Sequence, residues 1–151
     1  MTISVRDACI ADVEPLLVLI ARHADFERAS ATVTAPALAR LIAEERAPMR
    51  LFVAADGDDL AGYAALGFDY ALWDGTHHAH LDCLFIRAER RGQGIGKLLL
   101  THAVDVARSA GAARIEWQTP AWNTDAIRFY EREGARALTK MRFSLALAAR
   151  G

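Results

Sequence analysis

Apolar residues recur along the chain in two periods, and the alternation between those periods outlines the elements. Ile3 to Val5 predicts a short first strand, and Asp12 stands ahead of Val13, Leu16, Leu17, Ile20 and Ala24, a helical spacing with a capping residue in front. Pro15 falls in the first turn, where a missing N–H is harmless. Thr34 ahead of Pro36, then Leu38, Leu41 and Ile42, predicts a second helix. Leu51 to Ala55 and Leu60 to Phe68 are apolar runs on either side of Asp56-Gly57-Asp58-Asp59, whose Asp-Gly pair predicts a hairpin. A polar connection, Trp73 to His78, leads to a strand from about His80 to Ile86.

Beyond a glycine-rich run at 92–96, Ile95, Leu98, Leu99, His102, Val106 and Ala110 describe a helix that stops at Gly111. Arg114 to Gln118 reads as a short strand. Asn123 or Thr124 caps a short helix ending near Gly134, and Leu138 to Leu147 is expected to close the chain as a strand. The predicted order, β-α-α-β-β-β-α-β-α-β, is that of an α/β (α+β) domain: a mixed sheet with helices on both faces and ligand at the carboxyl end of the central strand.

Composition narrows the classes without choosing among them. At 151 residues the chain is expected to form one domain, and no repeat or linker divides it. A formal net charge of -1 offers no pull toward nucleic acid, and no apolar run is long enough for a bilayer, so a cytoplasmic protein without nucleic-acid or membrane partners is expected. Cys9 and Cys83 do not make a disulfide framework and are expected to be buried thiols.

The chemistry gathers in Leu81-Asp82-Cys83-Leu84-Phe85-Ile86 and the following Arg91-Gly92-Gln93-Gly94-Ile95-Gly96-Lys97. Glycines between a strand and a helix expose backbone N–H groups beside the positive end of the helix dipole, an arrangement that receives phosphate. Arg87, Arg90, Arg91 and Lys97 add positive charge, suiting a ligand with several phosphates. A Walker loop is excluded, since Arg91 and Leu98 stand where it needs Gly and Ser or Thr. A dinucleotide fingerprint is excluded by Lys97 at its third glycine.

Arg91-x-x-Gly94-x-Gly96 behind an apolar strand resembles the pyrophosphate-binding motif of the GNAT superfamily of N-acetyltransferases. Downstream, Asn123-Thr124-Asp125-Ala126-Ile127-Arg128-Phe129-Tyr130, ending in Gly134-Ala135, is similar to that family's second signature. The resemblance covers nearly the whole chain and implies a GNAT-like, mostly antiparallel sheet, with acetyl-CoA as acyl donor bound at the end of the central strand. It implies that Gly92, Gln93, Gly94, Ile95, Gly96 and Lys97 bind the pyrophosphate with Arg91 beside it. Backbone groups of Leu84 and Ile86 would pair with the pantetheine arm, and Asn123 would hydrogen-bond it or simply cap its helix.

Tyr130 would face the thioester sulfur, as proton donor or as hydrogen-bond donor to the thiolate; a core aromatic is the other reading. A phenol near ~10 and a thiol near ~8.5 differ by roughly 2 kcal/mol, which allows either role. Asp82 would take the amine's proton, directly or through water, or would be a structural partner of His80 or an arginine. Strand alternation expects it on one face with Leu84 and Ile86, opposite Leu81, Cys83 and Phe85.

The segment from Gly62-Tyr63 through Trp73 to Asp82 looks especially like the diamine (spermidine/spermine) acetyltransferase branch. Of Phe26 to Thr34, however, only Glu27 is acidic, which favours a smaller or zwitterionic amine over a long polycation. Asp25, Glu27, Asp69 and Trp73 are the expected acceptor contacts. His77, His78 and His80 invite a metal reading, but no ligand set with zinc-like spacing accompanies them and the family chemistry needs no metal. A homodimer is implied by the resemblance. A non-catalytic acyl-CoA-binding module and a protein or peptide acetyltransferase are the rival functions.

Overall fold

The computed structural model describes residues 2–148. The chain divides into two compact units, Met1–Gln118 and Thr119–Gly151. The first unit carries a five-stranded sheet in the order β1 (Ser4–Asp7), β2 (Met49–Asp56), β3 (Asp59–Ala71), β4 (Thr76–Ile86), β5 (Ile115–Glu116). All neighbours are antiparallel except β4 and β5, which run parallel. Helices α1 (Val13–Phe26) and α2 (Ala35–Ala43) precede β2, and α3 (Ile95–Ser109) follows β4.

The two faces of the sheet are covered by different helices. Val53, Ala55, Leu60, Tyr63 and Phe85 form one core with Val13, Leu16 and Leu19 of α1 and Leu38 of α2. On the other face the Phe52 ring meets His102 of α3 edge-on at 4.7 Å. A Cβ built on Gly62 would lie 3.3 Å from Leu99 of α3, which places Gly62 on that second face.

The hairpin at Asp56-Gly57-Asp58-Asp59 forms as the sequence predicts, with Asp56 opposite Asp59 and Gly57 at φ 61°. Thr34 caps α2 through Oγ1, which accepts from Ala37 N at 3.3 Å. Asp12 behaves differently from the expectation. Its carboxylate makes no cap bond to α1 but reaches back to Cys9 N at 2.8 Å and takes both terminal nitrogens of Arg6, at 2.7 and 3.0 Å. Cys9, expected to be buried, is exposed because it lies ahead of the 3-10 turn Ile10–Asp12.

The β3–β4 hairpin is longer than the pattern suggested. His77 and His78, assigned to the connection, lie inside β4, because pairing with β3 continues outward to Ala71↔Thr76. β5 is only two residues long, with Ala79↔Ile115 and His80↔Glu116 as its register. In the second unit α4 (Thr124–Arg132) forms behind Asn123, and Gly134 follows at φ 94°. The expected strand Leu138 to Leu147 does not form: these residues have no ladder partner, and Leu138, Met141, Phe143, Leu145 and Leu147 are exposed. Among the described residues no helix is long and apolar enough to cross a membrane.

Candidate active site

β4 is the strand on which the site is built, and two irregularities of its ladder set the geometry. The first is a β-bulge. Cys83 pairs with Ala65 and Leu81 with Leu66, so Asp82 is the extra residue, with no partner of its own on β3. Residues opposite one another in a ladder share a face, and Ala65 and Leu66 lie on opposite faces. The bulge therefore reverses the alternation expected from sequence. Leu81 joins Leu84 and Ile86 on the α3 face, while Cys83 and Phe85 take the α1 face. Asp82 goes with the latter: Cys83 Sγ donates to its Oδ2 at 3.5 Å, and His80 Nε2 lies 3.8 Å from its Oδ1.

The second irregularity is an open edge. β5 pairs with β4 only at Ala79 and His80, so beyond His80 no strand among the described residues pairs with β4 on the side away from β3. Arg87 N donates to Ala61 O of β3 at 2.9 Å. Because backbone groups of successive residues point to opposite sides, those of Ile86 and Leu84 are directed away from β3, toward the open edge. Ile86 O is already taken there by Arg91 Nε at 2.9 Å.

The open edge runs into the glycine turn. Gly92 and Gly94 sit at φ 76° and 79°, and a Cβ on either would meet nothing within 4 Å, so the space in front of the turn is clear. The first helical bond of α3 is Leu98 N to Gly94 O at 3.2 Å, so the glycine turn leads directly into the first turn of the helix. Ile95 is 2% exposed, so its side chain belongs to the core and only its backbone serves the turn, whereas Gln93 and Lys97 are exposed. A donor set of left-handed glycine amides at a helix N-terminus fits a phosphate-bearing cofactor.

The arginines divide their tasks. The Arg91 guanidinium lies over the rings of Phe26 (5.0 Å) and Phe85 (5.4 Å). Arg87 and Arg90, expected around the phosphates, turn instead to the β2–β3 hairpin. Arg87 binds Asp59 at 2.7 Å and Glu89 at 2.8 Å, and Arg90 binds Asp56 at 3.1 Å and Asp59 at 3.3 Å.

Of the expected acceptor contacts, Glu27 stands just past α1, where its Oε2 is 2.7 Å from His23 Nε2. His23 Nδ1 lies 2.6 Å from the Tyr63 hydroxyl. Asp69 is opposite His78, well down the β3–β4 hairpin, and Trp73 is fully exposed at its tip. Asp25 is also exposed. The three histidines of β4 have separate surroundings: His77 meets the Tyr70 ring edge-on, His78 faces Glu116 at 3.5 Å and Asp69 at 4.0 Å, and His80 faces Asp82. Among the described residues no cluster of three metal-ligating side chains forms.

His23, Tyr63 and Cys83 are members of the site that the sequence pattern did not single out. Burial pushes the Tyr63 phenol far above its ordinary range and lifts the Cys83 thiol to about 12, so both keep their protons at neutral pH. The visible signal was the i, i+4 spacing of His23 and Glu27. Their juxtaposition with β4 depends on the bulge, which no periodicity shows.

In the second unit, Asn123 Oδ1 accepts from Ala126 N and Nδ2 donates to Thr119 Oγ1, both at 3.4 Å, so its amide is used as a helix cap. Tyr130 is half-buried on α4, its ring tilted against Phe129 with centroids 5.3 Å apart.

Known proteins resemble this chain in sequence and in fold. A thialysine N-epsilon-acetyltransferase of Caenorhabditis elegans is 32% identical over 129 residues, covering 84% of this chain and 79% of that protein. An L-ornithine N5-acetyltransferase of Arabidopsis thaliana is 34% identical over 83 residues, covering 55% of this chain and 36% of that protein. The crystal structure of a transcriptional regulator from Bacillus halodurans C-125 superposes with a TM-score of 0.80 at 26% identity, over 94% of this chain and 100% of that one. The profile of the acetyltransferase (GNAT) family matches residues 18–135, which hold the bulged strand, the glycine turn and the Asn123 to Ala135 signature. The chain is therefore an acyltransferase that belongs to the GNAT acetyltransferase family.

Proposed function

We propose that the protein transfers an acetyl group from acetyl-CoA to a primary amine of a small molecule, diamine or amino-acid-like, by direct attack in a ternary complex. The observation that carries this reading is the open edge of β4 leading into the left-handed glycines at the start of α3. An extended chain ending in phosphates suits it: Leu84 offers its backbone groups and Ile86 its N–H along the edge, and the glycine turn from Gly92 offers amides at its end. In this reading the neutral amine attacks the thioester carbonyl, the C–N bond forms and the C–S bond breaks. Asp82 receives the amine's proton, and Tyr130, assigned from the motif around it, supplies a proton or hydrogen bond to the departing sulfur. Cys83, protonated and held to Asp82, is not a nucleophile, in keeping with transfer without an acyl-enzyme.

The acceptor is inferred to be short or zwitterionic. Glu27, the sole acidic residue of the stretch 26–34, already has its carboxylate on His23, leaving little to grip a polycation. The thialysine and ornithine enzymes above agree by name with an amino-acid-like acceptor. We further infer a homodimer, which sedimentation would test.

The deciding experiment is thiol release from acetyl-CoA against diamines, amino acids, aminoglycosides and peptides. Short or zwitterionic amines are expected to exceed spermine in kcat/KM, and a preference for peptides would make the enzyme a protein acetyltransferase. Tyr130→Phe separates catalysis from mere binding. It is expected to lower kcat at least about tenfold while the KM for acetyl-CoA stays level. No thiol release with any amine, despite tight acetyl-CoA binding, would mark a binding module.

A further inference from the structure

Glu27 stands where helix stability does not ask for a carboxylate. It follows the last turn of α1, at the negative end of the helix dipole, where an anion is disfavoured. Arg28, the one non-glycine residue of positive φ among the described residues (62°), turns the chain directly after it. The carboxylate is held by His23, whose Nε2 lies 2.7 Å from Oε2, and among the described residues no hydrogen bond reaches Oε1.

His23 is held in turn by the core. The Tyr63 hydroxyl lies 2.6 Å from its Nδ1, and the Phe85 ring stacks on the imidazole at 5.0 Å and 18°. Tyr63 is 2% exposed, and burial keeps its phenol protonated, so the hydroxyl has a hydrogen to donate. A carboxylate only accepts, so Nε2 carries the ring hydrogen that faces Glu27 and, in neutral imidazole, Nδ1 is the acceptor that faces Tyr63. The buried phenol thus sets the tautomer and the plane of the ring, and the ring sets Oε2.

The same ring ties Glu27 to the cofactor edge. The Arg91 guanidinium lies 5.4 Å over Phe85, which stacks on His23, and 5.0 Å over Phe26, the last residue of α1, while Arg91 Nε donates to Ile86 O. Phe85 shares the α1 face of β4 with Cys83 and Asp82. The end of α1 therefore meets the open edge at Phe85 and Arg91, and a carboxylate with one oxygen engaged stands on the same face as Asp82.

We propose that His23, set by the buried Tyr63 hydroxyl, is a specificity-determining residue: it pins Glu27 by Oε2, so that Oε1 receives one ammonium of the acceptor, the cation carried besides the amine that reacts. The inference rests on the amine-acetylation reading above and adds to it the second cation. A single fixed oxygen accepts a single ammonium, which selects diamines and diamino acids over monoamines on one side and over longer polyamines on the other.

Calorimetry on the protein saturated with CoA, where no transfer occurs, tests this with 1,4-diaminobutane, butylamine and spermine. The parent is expected to bind the diamine more tightly than butylamine. His23→Leu is expected to weaken the diamine about two- to tenfold, the cost of ordering a released side chain, and to leave butylamine level. Spermine should gain on the diamine in the same variant, since both Glu27 oxygens are then open. Tyr63→Phe, which keeps the ring, should act in the same direction, and His23→Gln, whose amide donates to a carboxylate, should recover most of the diamine affinity. In a Glu27→Gln background the diamine should have lost its advantage, and His23→Leu should change it no further. If His23→Leu does not fold, Tyr63→Phe with and without Glu27→Gln gives the same cycle. Equal losses for diamine and butylamine, or an undiminished loss in the Glu27→Gln background, overturn the inference and leave His23 a packing residue. A parent protein that binds none of the three amines beside CoA overturns the amine-acetylation reading, and this inference with it.

Discussion

Gly62 is the residue whose absent side chain matters most to the site. A Cβ there would come within 2.6 Å of both Ile86 Cδ1 and the Phe85 carbonyl oxygen, and the latter cannot move without displacing β4. Gly62→Ala is therefore expected to cost about 1–3 kcal/mol by overpacking. That is a drop of several °C in Tm, measurable by thermal denaturation, because about 1 kcal/mol moves Tm by ~2–4 °C at this size. Asp12 offers a second residue-scale prediction, with a sign. The Arg6 guanidinium, foremost, together with the Cys9 amide, holds the Asp12 carboxyl below its ordinary range. A depressed folded-state pKa contributes stability that is present above the unfolded value, near ~3.9, and is lost as pH falls through the folded one. Tm is expected to fall on acidification below about pH 4, and Asp12→Asn is expected to flatten that acid limb while lowering Tm at pH 7. Identical acid limbs in the two proteins would remove Asp12 from the account.

At the scale of elements, the glycine turn and the bulge show what a sequence displays and what it hides. The turn was legible because its chemistry is local: glycine is needed where φ is positive, and Gly92 and Gly94 are both there. Gly94→Ala meets no neighbour, so its cost is conformational, about 1–2 kcal/mol for a left-handed alanine. It is expected to lower Tm modestly and to weaken acetyl-CoA binding at least several-fold by calorimetry, since the new methyl projects into the clear space before the turn. The bulge was not legible, because it is a property of two strands at once. Alternation read along β4 alone put Asp82 with Leu84 and Ile86, and only the register against Ala65 and Leu66 moves it to the side of Cys83. The segment 138–147 makes the same point in reverse. Its pattern is that of a strand, but a strand is completed by a partner's hydrogen bonds, and the described residues offer it none.

For the molecule as a whole, the succession of elements as far as α4 and the helices on either face followed from periodicity, and the short hairpin loops make β2, β3 and β4 antiparallel neighbours. The glycine turn at the start of α3 followed too, being written in contiguous residues. The surroundings of Asp82 did not, because they draw on residues of α1, β3 and β4, and Asp69 and Trp73 lie farther out along the β3–β4 hairpin.

The parting of β5 from β4 after His80 has a consequence for isotope exchange. In a closed sheet the amides of a central strand are among the last to take up deuterium, yet here, past the bulge, the amides of Leu84 and Ile86 are directed to an unpaired edge while that of Phe85 between them faces β3. The free protein should therefore show an alternating record along one strand: fast uptake at Leu84, slow uptake at Phe85. Saturating acetyl-CoA should slow Leu84 and leave Phe85 as it was. Uniform protection along the strand, or a Leu84 amide indifferent to the ligand, would mean that the edge is not where the cofactor lies.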